Sequence, residues 1–441
     1  MSDDLRAAVD DCLIRYGSDF YGEIVVAAQG ARVRDRSGRE ILDFTSGQMC
    51  ATVGHSHPAV VAAIEDSAGH AIHLFSGMIP ESVARLARKI ADLVPRPLKR
   101  SLFVSTGSES NEAALKMAKM VTGGFEVVAF GGSWHGSTGT ASAASYASDR
   151  RGMGPAVPGM HAIPEPNAYR CPIEHCRERC DKTCLKVGLQ LYDMQSSGAP
   201  AALIAEPILS AGGVIVPPDG YFEALQEACR ARGLMLIFDE AQTAFGRLGT
   251  AFAASHLGVV PDIMTVSKTL GGGIPLAATI TSDEIEAKAH ERGFAHYTSH
   301  VSDPLPAAVG LAVIETIERE RLIERAQEMG AYLMAGLRDL QQRYEAIGDL
   351  RGQGLLIGVE LVTDRESRRP HHNLGARTTA RCLELGLSMN IRRRPERGSV
   401  WRIAPPLTVT REEIDEALAI LDRALGDSLD ALAREGEAEG R

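Results

Sequence analysis

The sequence predicts an α/β protein with a mainly parallel sheet flanked by helices. Three observations predict it. Residues 234–238 form an apolar run without alternation, which is typical of a strand covered on both faces. Strand-like and helical segments alternate through the middle of the chain, as βαβ units do. Charged or polar residues follow several of these strands, at the edge where open α/β sheets bind ligands.

The elements are predicted in the following order. A short helix and strands within residues 24–33 and 41–44 precede a loop of small residues at 45–49. Strands at 101–104, 126–130, 202–205, 234–238 and 261–266 then alternate with helices at 59–71, 81–93, 113–121 and 221–232. Residues 152–184 are expected to form a long irregular insertion. A helical stretch over 305–344 leads into a C-terminal α+β region.

The domain prediction follows from this order and from the length of 441 residues, which allows two or three domains. We expect an N-terminal segment at 1–60 that forms part of a small domain, a large domain at 61–315, and the C-terminal remainder of the small domain at 316–441.

The composition restricts the function classes. A formal charge of −10 argues against a general nucleic-acid or membrane-surface binder, which would carry a basic face. The sequence has no run of 18 apolar residues, and it opens with Met1-Ser2-Asp3-Asp4 rather than a signal-peptide core. We therefore expect a cytoplasmic protein that acts on small molecules, without a nucleic-acid or membrane partner.

A carboxylate and an amine follow neighbouring strands. Asp239 ends the apolar run, and Lys268 follows the next strand. Either residue alone is more often an ordinary surface charge. A lysine in a partly dry cleft, however, loses affinity for its proton and can attack a carbonyl to form a Schiff base. Together the two residues suit pyridoxal phosphate, which needs such a lysine, an acid opposite its ring nitrogen, and a phosphate site.

Other strand ends supply the remaining parts of such a site. The strand at 101–104 breaks into Ser105-Thr106-Gly107-Ser108 before a helix, and a helix N-terminus of this kind holds phosphate or is simply capped. Trp134 follows the next strand and can stack on a planar ring or belong to the core. Glu206 follows the strand at 202–205. Arg402 lies among apolar residues, which suits a carboxylate clamp or an ion pair.

Four of the eight cysteines cluster at positions 171, 176, 180 and 184, close to His175. Their spacing differs from the paired C-x₂-C of zinc modules, and a reducing compartment disfavours disulfides. A structural loop with free thiols is the favoured interpretation, and a metal or redox staple is the alternative.

At this point the residues support a resemblance. Residues 239–247, followed by Lys268, resemble the signature of class III, fold-type I pyridoxal-phosphate aminotransferases, over roughly residues 15–425. Within that family, residues 43–49, 73–78, 298–306, 387–390 and 402–406 are similar to the 2,2-dialkylglycine decarboxylases. The chain departs from that pattern at Ser137, Ala211 and the cysteine cluster. Because the first two lie near the expected substrate site, they leave the substrate's identity open.

The resemblance implies a role for each matching residue. Lys268 would bind the cofactor covalently and carry protons, and Asp239 would pair with the ring nitrogen. Gln242 would bond the ring's phenolic oxygen, and Trp134 would stack on the ring. The phosphate would lie against Thr106, Gly107 and Ser108, with Ser299 supplied by a partner subunit of a homodimer or homotetramer. Arg402 would hold a substrate carboxylate, and Gln48 would contact the carboxylate that is lost.

The resemblance also implies an alkali metal ion, potassium or possibly sodium. Its expected ligands are oxygens of Leu74, Ser76, Ser299, Val301 and Asp303. Ser299 occupies a position where the family more often has Thr.

Three functions are compatible with these residues. The first is the oxidative decarboxylation of a 2,2-dialkylglycine, such as 2-aminoisobutyrate, with amino transfer to pyruvate. The second is a non-decarboxylating transaminase for an ω-amino acid or amine. The third is a catalytically silent relative, which the presence of Lys268, Asp239 and Gln242 weakens. The sequence leaves open the physiological substrate, the balance of decarboxylation and transamination, and the choice of dimer or tetramer.

Overall fold

The computed structural model describes residues 2–17, 20–22, 24–147, 150, 152, 154–177, 179–394 and 397–439. The helices are α1 Ser2–Cys12, α2 Ser46–Met49, α3 Pro58–His70, α4 Glu81–Leu93, α5 Gly107–Thr122, α6 Gly139–Ala143, α7 Thr183–Gln195, α8 Tyr221–Arg232, α9 Ala253–Leu257, α10 Asp283–Glu291, α11 Pro304–Arg319, α12 Leu322–Arg343, α13 His372–Leu385 and α14 Arg411–Glu439. Short 3₁₀ turns span Glu174–Arg177 and Lys268–Gly271.

The strands are β1 Val25–Gln29, β2 Arg32–Asp35, β3 Glu40–Asp43, β4 Arg100–Val104, β5 Glu126–Phe130, β6 Met160–Ile163, β7 Pro200–Ala205, β8 Met235–Asp239, β9 Ile263–Val266, β10 Ala277–Thr281, β11 Ile347–Gln353, β12 Leu356–Leu361, β13 Leu387–Ser388, β14 Asn390–Arg394 and β15 Gly398–Ile403.

Seven strands form the central sheet, in the order β4-β10-β9-β8-β7-β5-β6. The pairs from β9 through β8, β7 and β5 to β6 are parallel, and β10 is antiparallel to both of its neighbours. Every residue of β5, β8, β9 and β10 is buried, as expected for strands covered on both faces. The predicted fold class is confirmed.

The register of the parallel strands brings their polar ends together. Ala205 lies opposite Phe238, and Asp239 lies opposite Thr265. Because the strands run in the same direction, the residues that follow them emerge at one edge of the sheet. The chain therefore delivers Glu206, Asp239 and Lys268 to the same side of the molecule.

Two further sheets have four strands each, in the orders β1-β2-β3-β13 and β11-β12-β15-β14. The first joins strands from the N-terminal segment to a strand from the C-terminal region. Fully buried Arg247 connects separate parts of the chain, since its guanidinium donates to the carbonyls of Leu355 and Pro405 and to the Ser46 hydroxyl. The division at residues 60 and 315 stays a prediction.

Two local features differ from the sequence-based expectation. Within the predicted insertion, of which residues 153 and 178 lie outside the described residues, β6 pairs in parallel with β5. It has four residues between Gly159 and Pro164, so its periodic signal is too short to see. The helical stretch over 305–344 divides into α11 and α12 at Arg321, whose φ of 52° lies in the left-handed region. Neither glycine nor proline marks that turn in the sequence.

Across the part of the chain that the structure describes, none of the helices has the length and apolar composition needed to cross a bilayer.

Candidate active site

A cleft of about 580 Å³ opens at the carboxyl ends of the central strands. The residues of the predicted site that line it are Gln48, Thr106, Gly107, Ser108, Trp134, Glu206, Asp239, Gln242 and Lys268. Elements from the N-terminal loop and from five parts of the large sheet therefore converge there.

Lys268 stands where β9 gives way to a 3₁₀ turn. Its φ of 48° places the backbone in the left-handed region, which non-glycine residues rarely adopt. Burial lowers the pKa of the Lys268 amine, and the negative charge of Asp239 opposes that shift. The net effect favours the neutral amine more than in water, as a nucleophile requires.

Asp239 is held by two side chains. Its Oδ2 accepts hydrogen bonds from Asn111 Nδ2 at 2.8 Å and from His135 Nδ1 at 2.8 Å. Burial alone raises the pKa of Asp239, but the hydrogen bond and charge of His135, with the charge of Lys268, outweigh it and lower the pKa. The carboxylate is thus kept ionised inside the protein, which suits a partner for a protonated ring nitrogen.

The N-terminus of α5 forms an anion cradle beside Lys268. Thr106 caps the helix, with a reciprocal pair of bonds to Glu109, while the first-turn N–H groups of Gly107 and Ser108 have no acceptor within the helix. The backbone approaches closely here, because a Cβ on Gly107 would lie 2.8 Å from Ser267 Oγ, and one on Gly136 would lie 2.2 Å from Ser108 Oγ. A phosphate group fits such a cradle.

Trp134 and Glu206 are linked through the backbone. The Trp134 N–H donates to Glu206 Oε1 at 2.8 Å, and the Ser210 N–H donates to Glu206 Oε2 at 3.2 Å. Burial raises the pKa of Glu206 to about 7. The Glu206 carboxyl therefore links the backbone that follows β5 to the backbone that follows β7.

Gln48 lies on a tightly turned loop. Gly47 has φ 66°, and Gln48 itself leaves the helical region. The Asp43 carboxylate fixes this loop by accepting from the backbone N–H groups of Thr45 and Gly47, at 3.0 and 2.6 Å, and by contacting His55 Nε2 at 2.8 Å. The neutral Gln48 amide is thereby presented to the cleft.

A second lobe, of about 660 Å³, adjoins this cleft. We call it the arginine lobe, because Arg392, Arg393, Arg394 and Arg402 line it. Gln48, Trp134, Gln242 and Lys268 line both lobes. The anion cradle therefore lines the main cleft and Arg402 lines the arginine lobe, while Lys268 lines both.

Arg402 comes from the buried strand β15 and has neutral partners. One terminal nitrogen donates to Gln242 Oε1 at 3.2 Å and to Ser210 Oγ at 3.4 Å. Burial and the charge of Arg392 lower the pKa of Arg402 to about 9. Among the described residues, no carboxylate is within ion-pair distance of Arg402. The guanidinium remains available for an external carboxylate.

The predicted metal ligands lie apart from the cleft. Asp303 is buried at the N-cap of α11. Its two oxygens contact His73 Nδ1 at 2.6 Å and His300 Nδ1 at 2.7 Å. Leu74 and Ser76 are half-buried and Ser299 is exposed. The hydroxyls and carbonyls of this segment suit a hard cation. The Asp303 carboxylate, however, is already in contact with the two imidazoles.

The cysteine cluster at positions 171, 176, 180 and 184 lies in the part of the chain that the structure describes. In the cluster, Cys171, Cys176 and Cys184 are buried, and the Cys176 thiol donates to Asp181 Oδ1 at 3.1 Å. Burial raises the pKa of Cys184 to about 12, so that thiol stays protonated. The ligand atoms of His175, Cys176 and Asp181 lie within 4.8 Å of one another, so the structural loop and the metal or redox staple both stay predictions.

The structure brings Asn111, His135, Ser210 and Arg392 to the site, and sequence reasoning assigned none of them a role. His135 directly follows Trp134, and Asn111 lies one helical turn after Gly107. Their positions, at a strand end and in the first turns of α5, could therefore have indicated a role for these two residues. Ser210 and Arg392 carry no such signal.

Comparisons with known proteins agree with this geometry. Residues 17–425 match the family model "Aminotransferase class-III". An uncharacterized aminotransferase of Schizosaccharomyces pombe is 48% identical over 94% of this chain and 92% of its own. The leucine/methionine racemase of Thermococcus litoralis is 36% identical over 92% and 90%, respectively. The ω-transaminase of Pseudomonas jessenii, solved in complex with PMP, superimposes with a TM-score of 0.89 at 28% identity, covering 97% of this chain and 98% of that one.

The fold and the cleft define a fold-type I pyridoxal-phosphate enzyme. More particularly, the chain belongs to the class III aminotransferase family, whose known relatives include transaminases and racemases.

Proposed function

We propose that the chain is a decarboxylating transaminase. It would convert a 2,2-dialkylglycine, such as 2-aminoisobutyrate, into a ketone and CO₂, and pass the amino group to a keto acid such as pyruvate, giving L-alanine. The observation that carries the proposal is the pair of carboxylate-binding groups around Lys268. Neutral Gln48 and cationic Arg402 both line the space next to that amine. A reaction that removes one carboxylate needs two positions that bind a carboxylate with different strength.

The residues present fit pyridoxal phosphate. The anion cradle of Gly107 and Ser108 would take the phosphate, and Asp239 would face the ring nitrogen. The Gln242 amide oxygen is engaged by Ser210 and Arg402, so its N–H groups remain for the ring's phenolic oxygen. When bound, the cofactor supplies an aldehyde for an amine and a ring that accepts the electron pair of a bond broken at the substrate's α-carbon.

Lys268 would first hold the cofactor covalently and then, once freed, move protons near the α-carbon. Its lowered amine pKa supports the second task, because a proton carrier works best when its pKa lies near the operating pH. Glu206 and Trp134 would keep bulk water from the ring on the opposite side of the cleft.

Gln48 and Arg402 would decide which bond breaks. They would do so by holding the substrate's carboxylates at different positions around the α-carbon. Arg402 can hold a carboxylate by a charge-assisted pair of hydrogen bonds. Gln48 can hold one by neutral hydrogen bonds alone, which stabilise a carboxylate less and so oppose its departure as CO₂ less.

The alternative is a non-decarboxylating transaminase for an ω-amino acid or amine. The similarity to the P. jessenii ω-transaminase supports it. In that case Gln48 would only shape the pocket, and a substrate lacking an α-carboxylate would be preferred.

The test is incubation with 2-aminoisobutyrate and pyruvate, with CO₂, acetone and alanine measured together. We expect the three products in equal amounts. Replacing Gln48 by Ala should lower the rate of decarboxylation about tenfold, the worth of one or two lost hydrogen bonds. The factor by which the rate of L-alanine transamination falls should be less than half as large.

Gln29→Ala on β1 is the matched control, because it removes the same amide from an exposed position. Alanine formed from amine donors without CO₂ from any dialkylglycine would remove the decarboxylase proposal and favour the alternative. Equal losses of both activities in Gln48→Ala would contradict the role given to Gln48. Racemisation of L-leucine or L-methionine without net transfer would contradict both functions.

The alkali metal ion is part of the proposal. A potassium ion near Asp303 would require His73 and His300 to release the carboxylate that they now contact. The carbonyls of Leu74 and Val301 and the hydroxyls of Ser76 and Ser299 would complete a hard-oxygen set.

Exchange of potassium for lithium at constant ionic strength should therefore lower kcat/KM severalfold, because the smaller ion fits the ligand set poorly. Initial rates in potassium, sodium and lithium chloride measure the effect. Asp66→Asn, on an exposed helix face, is the control for a general effect of a lost carboxylate, and Asp303→Asn should remove the cation dependence. Equal rates in the three salts would contradict the site.

We also propose a homodimer or homotetramer in which Ser299 serves a partner's phosphate site. Large apolar side chains are exposed on the segments around Asp303, which supports a covered surface there. They are Ile72, Phe75, Met78, Ile79 and Tyr297.

A further inference from the structure

A second group of chemically active side chains lies in the segment between β6 and α7, outside the residues that line the cleft and the arginine lobe. His175 Nε2 contacts Asp181 Oδ2 at 3.1 Å, and the Cys176 thiol donates to Asp181 Oδ1, also at 3.1 Å. The three ligand atoms lie within 4.8 Å of one another. An imidazole nitrogen, a thiol sulfur and a carboxylate oxygen, which are the donor types that zinc takes from proteins, therefore meet in one small volume.

The backbone holds this group in place. Residues 174–177 form a 3₁₀ turn that carries the imidazole and the thiol, and the Thr183 N–H donates to Asp181 Oδ1 at 2.9 Å. Lys182 Nζ donates to the Gly220 carbonyl at 3.2 Å, which ties the segment to the residue before α8. The fold thus brings the three donors together in advance, which lowers the entropy cost of binding an ion between them.

A further thiol lies on the buried side of this group. Cys171 and Cys176 are both buried. The charge of Cys171 would act on Cys176 and on Cys184, and inside a protein such effects are large only between near neighbours. Cys171 is therefore the cysteine best placed to join the imidazole, the first thiol and the carboxylate.

The hydroxyl of Tyr221 is a second and independent indication of a ligand. Tyr221 is 1% exposed, and among the described residues no hydrogen-bond partner reaches its hydroxyl. Its electrostatic neighbours include Cys184, Cys180 and Cys171. A neutral thiol accepts a hydrogen bond only weakly, whereas a metal-bound thiolate accepts one strongly. A metal ion held by the cysteines would therefore satisfy a buried donor whose lack of a partner is otherwise costly.

We propose that this segment binds one zinc ion, with Cys171, His175, Cys176 and Asp181 as its four ligands. Zinc accepts such a mixed set of nitrogen, sulfur and oxygen, whereas calcium and magnesium prefer oxygen alone. Zinc bonds of about 2.0–2.3 Å would draw the four atoms closer together. The two thiols release their protons to solvent as the bonds form, so the step needs neither an oxidant nor a reductant.

The spacing of the cysteines is compatible with this site. The paired C-x₂-C pattern describes modules in which cysteines come in close pairs, but here His175 and Asp181 supply two of the four ligands. The short segment from residue 171 to residue 181 therefore contains a complete tetrahedral set without that pattern.

A zinc ion would fasten the insertion to the C-terminal sheet. Arg170, directly before Cys171, donates to the buried Glu360 carboxylate. Glu360 also accepts from Arg351 Nη1 at 2.6 Å. A metal bond at Cys171 would fix the chain next to this link and so stabilise the fold. The inference concerns stability and is independent of the reaction proposed above.

The experiment measures metal in the full chain loaded with pyridoxal phosphate. Elemental analysis, after equilibration with zinc and removal of the excess, should give about one zinc ion per chain. Cys171→Ser, Cys176→Ser and His175→Ala should each weaken zinc binding about tenfold or more, because each removes one of four bonds. Cobalt(II) in place of zinc should show the absorption of a tetrahedral thiolate site, and zinc should raise Tm by a few degrees.

Cys382→Ser is the matched control, because it removes a buried thiol on α13, and it should leave zinc binding unchanged. His175→Ala keeps the test decisive if the cysteine variants do not fold, since that side chain is exposed. Less than about a tenth of a zinc ion per chain, which is far below the occupancy of a structural site, overturns the inference. Undiminished affinity in Cys176→Ser or His175→Ala overturns it as well.

Discussion

Lys268→Ala is expected to abolish turnover, with a loss of about 10⁴-fold or more, because one substitution removes the residue proposed as both covalent anchor and proton carrier. The visible absorption band of protein-bound pyridoxal phosphate should shift or disappear at the same time. Folding should be affected little, since alanine meets the same backbone constraint at a φ of 48° as lysine does.

Absorption spectra and single-turnover rates check this expectation, with Lys288→Ala on the exposed face of α10 as the matched control. A loss of less than about 100-fold would be smaller than the removal of a general acid–base residue causes. It would mean that another residue provides the anchoring amine. Circular dichroism separates that outcome from misfolding.

Asp239→Asn is expected to lower kcat about 100- to 1000-fold while leaving the cofactor bound. The substitution keeps the size of the side chain, but it removes the buried negative charge proposed to face the ring nitrogen. Losing one partner of a buried charge pair costs about 2–5 kcal/mol, and rate losses of about 100- to 1000-fold fall within that range.

The measurement is a pH titration of the cofactor's absorption together with kcat. The ring nitrogen should lose its proton at a lower pH in Asp239→Asn, because the charge that stabilised the protonated form is gone. Asp283→Asn, on an exposed ion pair with Arg100, should leave both unchanged. An unaltered kcat in Asp239→Asn would mean that another group supports the ring.

The central sheet was readable from the sequence because its strands carry strong local signals. Residues 235–239 are fully buried in β8, and an apolar run without alternation encodes that burial directly. The carboxyl-end positions of Asp239 and Lys268 then follow from parallel topology alone. The sequence did not predict strand β6 or the turn at Arg321. An edge strand of four residues has no detectable periodic pattern, and a left-handed arginine carries no glycine signal.

The partners of site residues were harder to predict than the residues themselves. Asp303 was expected among oxygen ligands, yet it contacts His73, which is 230 positions away, and His300. Arg392 stands in a run of three arginines that reads as a solvated surface. Only the pairing of β14 with β15 places Arg392 diagonally beside Arg402, whereas the next residue along β14, Arg393, is exposed. Such long-range register is a tertiary property that no local pattern contains.

The left-handed backbone at Lys268 has a consequence for the range of motion of the amine. The Cα sits between strand β9 and a buried 3₁₀ turn, and a residue that adopts φ 48° does so only because its surroundings hold it there. The four-carbon side chain is then the only movable part. With the roles proposed for Lys268, covalent anchoring and proton delivery would both occur within the reach of one side chain whose Cα is fixed. The α-carbon of any productive substrate would then have to lie within that distance.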